Sequence, residues 1–413
     1  MRNITLLTAL QLCGRGAQFV LFFIISACHG VEPHTDAVFL AYAPVSMILA
    51  VGAGIADTVL IPAVHINGGM AAAGLLVRST SRLTLPIVAV TALISVTSIT
   101  LYTHISPYAA VLLFTAAVTG NQAYIFSGIL NGGGYFYRVA ISPIFGAICG
   151  SLPTLLLPAS DISLAAAFAS YEFARLIFLY CARTYLHSKH GCESTSIYRW
   201  ISRNSLFQAL GSVCTGAVPL IHMSFANQLG HGFITYIEYA NRYWQIAPLL
   251  FSAVILTGFQ TTSRLASNQE INIIPIFKHA TKLGFFGLFT GIIFACFYSI
   301  ALPVAYKHNL RPDEIKTVVL LVSIMLIATA PYVASMVCIR AFAVLGQHEV
   351  IFFAAIFNII TSTAIDFFLL PTVGVYAIAI SITASQVLTY CLIGARMYAL
   401  GRKTSLKTSD TKK

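Results

Sequence analysis

Charge is the scarcest commodity in this chain. Only 9% of its 413 residues are charged, and just 13 are Asp or Glu, whereas about a quarter of the residues of a soluble domain are charged. So few charges cannot cover a water-exposed surface, which excludes an ordinary soluble globular protein. Catalytic signatures are missing as well. No HExxH, no GxSxG, no Walker A and no carboxylate cluster at metal spacing occurs, so a zinc hydrolase, a serine hydrolase and an ATP-driven pump with its own nucleotide site are excluded. Enzymes acting on lipid-linked substrates place several acids and bases in sizeable interfacial loops. Here the longest polar stretches run to only about 20 residues. The nine cysteines stand singly with no CxxC pair, and are expected as small core hydrophobes. No metal and no organic cofactor is expected.

What the chain has instead is apolar length. Hydrophobic residues make up 58% of it, and a spanning helix needs about 20 in a row. Candidate spans lie near 5–28, 36–61, 84–106, 108–130, 139–157, 160–182, 204–228, 232–260, 283–305, 317–341, 350–370 and 374–397. The expectation is an all-α polytopic membrane protein with about twelve transmembrane helices. Ile25-Ser26-Ala27-Cys28 imitates a lipoprotein cleavage site, but Arg15 interrupts the apolar run before it, so cleavage is not expected.

The net charge of +11 reflects topology. With the N-terminus in the cytoplasm, 18 Lys and Arg fall on inside segments and three, Lys307, Arg311 and Lys316, on outside loops. This positive-inside asymmetry places both termini in the cytoplasm of a multi-pass plasma-membrane protein. The basic excess then serves orientation and anionic lipid, not nucleic acid.

A polar inside stretch, RTYLHSKHGCESTSIYRWISRN, divides the chain near its middle. It suggests a six-helix lobe at 1–186, a linker at 187–203, a second six-helix lobe at 204–397 and a basic tail at 398–413. Tyr42-Ala43-Pro44 leading to Gly54 is weakly echoed by Ile246-Ala247-Pro248 leading to Gly258, as in transporters whose halves repeat about an axis along the membrane normal. Pro44, Pro219, Pro248 and Pro331 lie inside spans, where they can bend helices. Residues 64–83 are too polar to span and are expected as a short surface helix carrying Arg78 and Arg82. The loop NGGGYFYR lacks a phosphate-loop lysine and reads as a turn.

The intramembrane polar residues carry the functional signal. Glu238, Asn241, Arg242 and Gln245 recur at spacings of three, four and seven, which stacks them on one helix face. Unpaired charge in a bilayer core is costly, so that face needs a partner or a water-filled cavity. Arg15, flanked by Gly14 and Gly16, either snorkels to the headgroups or faces a cavity. Asp36 suits the cap of its own helix. Asp57 lies near a cytoplasmic end, Asp366 near an outer one. Glu172 and Arg175, three apart, can pair with each other. Asn121 and Gln122 lie mid-helix and need hydrogen-bond partners.

Three stretches resemble the MurJ/MviN family of lipid II flippases: Tyr239-Ala240-Asn241-Arg242 followed by Tyr243-Trp244, Pro248 and Ser263-Arg264; Gly14-Arg15 with Thr35-Asp36-Ala37, Pro44, Gly54 and Pro62; and Arg340-Ala341-Phe342-Ala343 with Gly346, Asn358 and Gly374. The resemblance implies the superfamily of multidrug, oligosaccharidyl-lipid and polysaccharide exporters, in which two six-helix lobes enclose a central cationic cavity. It further implies that Arg15 and Arg242 face that cavity from opposite lobes and bind a pyrophosphate or other anion, with Asp36 as a gating carboxylate. Some family positions differ. Leu21, Ile48, Leu49 and Ala53 stand where the family carries charge, and its two last helices have no counterpart after about twelve spans. Lost charge-assisted contacts of this kind weaken pyrophosphate binding by a few kcal/mol.

The function implied is movement of a polyprenyl-(pyro)phosphate-linked saccharide from the cytoplasmic to the periplasmic leaflet of a bacterial inner membrane. It would be driven by membrane potential, H⁺ or Na⁺, by a monomer that works beside envelope-synthesis enzymes. Two alternatives stand: a cation-coupled exporter of small amphiphiles, using Asp36, Glu238 or Asp366, and a non-transporting membrane scaffold.

Overall fold

Long apolar runs closed by Pro or Gly become helices, and little else is present. The computed structural model describes residues 2–66, 73–103, 105–181, 194–252, 254–255, 258, 273–306 and 310–410. The helices are α1 (Arg2–His29), α2 (Pro33–Ile55), a π turn (Ala56–Leu60) running into α3 (Ile61–Ile66), α4 (Ala73–Thr103), α5 (Pro107–Gly132), α6 (Phe136–Leu156), α7 (Asp161–Cys181) and α8 (Ser194–Gln228). They continue as α9 (Phe233–Trp244), α10 (Ile246–Leu249), α11 (Ile273–Ala305), α12 (Pro312–Ile327), α13 (Thr329–Val344), α14 (His348–Val373) and α15 (Tyr376–Asp410). Among the described residues ten helices are long and apolar enough to cross a membrane, and α12 with α13, bent by 43°, makes an eleventh. This is an all-helical multi-pass membrane protein.

Proline chemistry places the breaks. Pro248 has no N–H to give the carbonyl four residues back, and the expected span at 232–260 breaks at Gln245, between α9 and α10. Pro331 acts in the same way on the carbonyl of Ile327, where α12 gives way to α13. By contrast Pro44 and Pro219 lie within continuous α2 and α8.

Several expectations need correction. The separate surface helix at 64–83 does not form, because α4 begins at Ala73 and runs unbroken through the third span with Arg78 and Arg82 exposed on its first turns. The tail from 398 continues α15 as helix to Asp410. Of the linker, 194–203 is the start of α8, while 187–193 and Ser263-Arg264 lie outside the described residues. The cysteines are not core residues: of those described only Cys338 is buried, and Cys13, Cys28, Cys181, Cys296 and Cys391 are exposed. In a bilayer the outer surface is as apolar as the interior, so an apolar residue gains nothing by turning inward. The outward row Phe285, Phe286, Phe289, Ile300 and Val304 on α11 shows the same inversion.

In the first half α6 packs on α1 and α7, and α5 packs on α2, α4 and α7. In the second, α8 lies on α14, α14 on α15, and α11 on α12 and α13, with α12 also against α9. The principal contact between the halves is α2 against α8. There Gly216 lets the backbones meet, since a Cβ on it would come within 2.8 Å of the Met47 Cα. The π turn is seated in the same way: a Cβ on Gly128 of α5 would lie 2.7 Å from the Cα and O of Ala56.

Candidate functional site

Two ion pairs, each within one helix, meet in the middle of the molecule. On α9, Arg242 Nε donates to Glu238 Oε1 at 2.7 Å, and its terminal nitrogen reaches the same oxygen. Glu238 is buried, but Arg242 keeps 24% of its side chain exposed and lays its guanidinium 4.3 Å from the Phe22 ring centroid of α1. On α7, Arg175 Nη1 donates to Glu172 Oε2 at 2.7 Å, and its guanidinium lies 4.9 Å from the Tyr124 ring and 5.5 Å from Tyr171. The i,i+4 and i,i+3 spacings dictate both pairs, and burial makes each carboxylate dependent on its arginine.

Tyrosines join the pairs. Tyr42 of α2, buried and stacked 4.2 Å from Phe168, lies among Arg242, Glu172, Tyr124 and Glu238. Arg15 Nη1 donates to Gln18 Oε1 at 2.7 Å, and Gln18 donates in turn to the Tyr171 hydroxyl. Glu172 interacts electrostatically with both Arg15 and Arg242. One cluster therefore holds three guanidinium groups and two carboxylates, and among the described residues Arg15 makes no ion pair. Arg15, Gln18, Asn241, Arg242 and Gln245 are all partly exposed, the first two midway along α1 and the other three at the break between α9 and α10. They form a polar seam between α1 and the broken α9–α10 segment. Gln245 Nε2 donates to Asn241 Oδ1 at 3.2 Å, and Ser252 Oγ to Gln11 Oε1 at 2.7 Å. Such a seam suits an anion, because forked guanidinium donors match carboxylate and phosphate oxygens.

Asp36 does not cap its own helix. The N-cap of α2 is Glu32, which makes no side-chain capping bond. Asp36 instead reaches across the two halves and accepts from the backbone N–H of Gly232 (2.7 Å) and Thr235 (3.0 Å), the Thr235 hydroxyl (2.5 Å) and His231 Nδ1 (2.8 Å). It thus supplies α9 with the cap that Gly232 cannot provide. A capping carboxylate was legible, but which helix it caps is a tertiary fact. The Tyr239 hydroxyl donates to Gly30 O at 3.0 Å beside it. At the far end of the same segment, Arg340 of α13 donates to Asp57 of the π turn at 3.1 Å. One stretch of chain, α2 with its π turn, is therefore tied to the second half at both ends.

The remaining expectations divide. Gln122 finds Ser81 at 2.9 Å, whereas buried Asn121 has neither amide atom bonded and faces Gly52 of α2. Asp366 is not in the cluster. It pairs with His222 of α8 at 2.7 Å, fully buried. Sequence reasoning missed Gln18, Tyr42, Tyr124, Tyr171 and His222. The available signal was a polar side chain inside an otherwise apolar span. Among the described residues no group of three His, Cys, Asp or Glu could hold a metal ion.

No family model matches the chain, and no curated protein matches it. Solved structures do. A MATE transporter of Vibrio cholerae superposes with a TM-score of 0.73 at 13% identity, covering 98% of this chain and 97% of that one. A MOP superfamily transporter from Pyrococcus furiosus gives 0.72 at 14% identity, covering 97% and 95%. The lipid II flippase MurJ, in an inward closed conformation, gives 0.71 at 14% identity over 94% of this chain and 86% of its own. At such identities the likeness is one of fold, and the chain shares it to a similar degree with MATE transporters and a flippase.

Proposed function

We propose that this protein is an alternating-access membrane transporter that carries the anionic headgroup of an amphiphile past Arg15 and Arg242. The cargo is a polyprenyl-(pyro)phosphate-linked saccharide moved from the cytoplasmic to the outer leaflet of a plasma membrane. One observation carries the reading. Among the described residues the partly exposed Arg15 makes no ion pair, although it shares the field of Glu172, and it lies in a polar seam inside a membrane protein whose second arginine, Arg242, is already neutralised by Glu238. Holding an unmatched charge there is costly, and an anionic cargo offsets that cost whenever it binds.

The fold and the ties at both ends of α2 support alternating access. The lysine and arginine asymmetry supports cytoplasmic termini. The two carboxylates of the cluster, each paired with an arginine, support a second reading as an exporter of cationic or neutral amphiphiles.

Reconstitution in liposomes tests both. With a fluorescent short-chain polyprenyl pyrophosphate disaccharide in one leaflet, the wild-type chain is expected to accelerate its transfer, and Arg15→Gln to abolish the acceleration at unchanged folding. Transfer of a lipophilic cation but not of the saccharide lipid would select the exporter. Full activity of a chain lacking both Arg15 and Arg242 would sink the proposed site.

A further inference from the structure

A cavity of about 220 Å³ lies on the second half of the molecule, away from the cargo seam. Its walls come from three stretches: Ile255 beyond α10, Ile276, His279 and Leu283 on α11, and Val337 and Arg340 on α13. None of the five seam residues lines it, and no carboxylate does among the described residues. The wall is thus apolar with a basic rim.

Helix packing sets the level of the cavity in the membrane. A Cβ on Gly394 of α15 would come 3.2 Å from the Phe277 ring, and one on Gly401 would come 2.9 Å from Ile274 Cγ1. The start of α11 therefore lies beside the C-terminal end of α15. Beyond Lys282, α11 runs without a charge from Leu283 to Val304, about 33 Å by helical rise, which matches the hydrocarbon thickness of a bilayer. His279, with Lys278 and Lys282 exposed on either side of it, falls at the boundary between headgroups and hydrocarbon. Leu283 and Val337 fall on the apolar side of that boundary.

Apolar cavities of about 150 Å³ stay dry and take up hydrocarbon ligands. At this level of a membrane the hydrocarbon at hand is an acyl chain, and the rim decides which headgroup it carries. Basic pockets between spanning helices suit anionic lipid headgroups, and the fork of Arg340 matches phosphate oxygens.

We propose that this cavity binds one phospholipid of net negative charge, its phosphate between His279 and Arg340 and an acyl chain along Ile255, Ile276, Leu283 and Val337. Arg340 is also the residue whose Nη2 reaches Asp57 of the π turn at 3.1 Å. A lipid phosphate competes with Asp57 for that guanidinium, so an occupied site weakens the tie between the halves on this face. Anionic lipid then favours the conformer that is open there.

The test uses no cargo, so its outcome is independent of the cargo reading. The delipidated full chain in detergent is titrated with phosphatidylglycerol or phosphatidylcholine, and bound lipids are counted by native mass spectrometry. Wild type is expected to hold one phosphatidylglycerol about tenfold more tightly than phosphatidylcholine. His279→Gln, which leaves the Arg340–Asp57 pair intact, is expected to reduce that preference severalfold. Val337→Trp, which fills the cavity without altering charge, is expected to lose the tightly held lipid altogether. In nanodiscs, spin labels on α3 and α13 are expected to move apart when phosphatidylglycerol replaces phosphatidylcholine around wild type, and to stay in place in Val337→Trp. Equal affinity for the two lipids, unchanged binding in both variants, displacement of the lipid by an equal concentration of inorganic phosphate, or label distances in wild type that ignore the lipid would overturn the proposal.

Discussion

Removing the charge of Arg242 leaves Glu238 2% exposed and without its arginine. Breaking a buried pair in this way costs about 3–5 kcal/mol, whereas replacing both partners by neutral groups is often close to neutral. Thermal unfolding in detergent is therefore expected to show Arg242→Gln strongly destabilised and the double Glu238→Gln, Arg242→Gln variant largely restored. Transport of the saccharide lipid is expected to fail in both, which separates the stabilising role of the pair from the binding role of the guanidinium. At this scale the sequence was informative where partners are local: Glu238 with Arg242 and Glu172 with Arg175 follow from helical spacing alone. It was uninformative for Tyr42, Tyr124, Tyr171 and Gln18. Their partners come from other helices, and a tyrosine in an apolar run reads equally well as an interfacial anchor.

Between elements, α9 depends on a carboxylate borrowed from α2. A lost N-cap costs about 0.5–2 kcal/mol, and here the cap also ties the two halves. Asp36→Ala is expected to raise hydrogen exchange over the first turn of α9, Gly232–Tyr236, while leaving α13 unchanged; equal exchange in both proteins would show that the tie is dispensable. A close approach of backbones gives a second expectation. Gly128→Ala drives a methyl into the rigid backbone of Ala56, and overpacking of that kind costs about 1–3 kcal/mol, visible as a lower melting temperature. The existence of the spans was legible because hydropathy sets it directly. The break at Gln245 was suggested by Pro248, but the reach of α4 back to Ala73 was not, because a helix continues past the bilayer wherever polar residues with adequate propensity follow.

For the whole molecule, the two ties on α2 are unequal. Asp36 accepts four bonds, two of them from backbone. Asp57 keeps 39% of its side chain exposed in its pair with Arg340, against 12% for Asp36, so solvent screens the Asp57 tie more strongly. The face carrying the chain termini should therefore open first. Spin labels on α3 and α13 are expected to show a broadened, longer distance distribution in Arg340→Ala, with little change across the Asp36 end; the reverse pattern would assign the stronger tie to Asp57. The sign of each charge was readable from the sequence, but the arrangement of one helix as a strut between two unequal ties was not.

The π turn at Ala56–Leu60 gives that strut a register. A π turn holds one more residue than the α-helix it interrupts. Deleting that one residue would leave a continuous α-helix in which the residues beyond keep nearly the same facing, because the wide turn is what absorbs it. A second inserted residue has no such turn to absorb it and would swing α3 by about 100° relative to Asp36. Single deletions in this five-residue window should thus be tolerated better than insertions, because the window has already taken up one residue of slack.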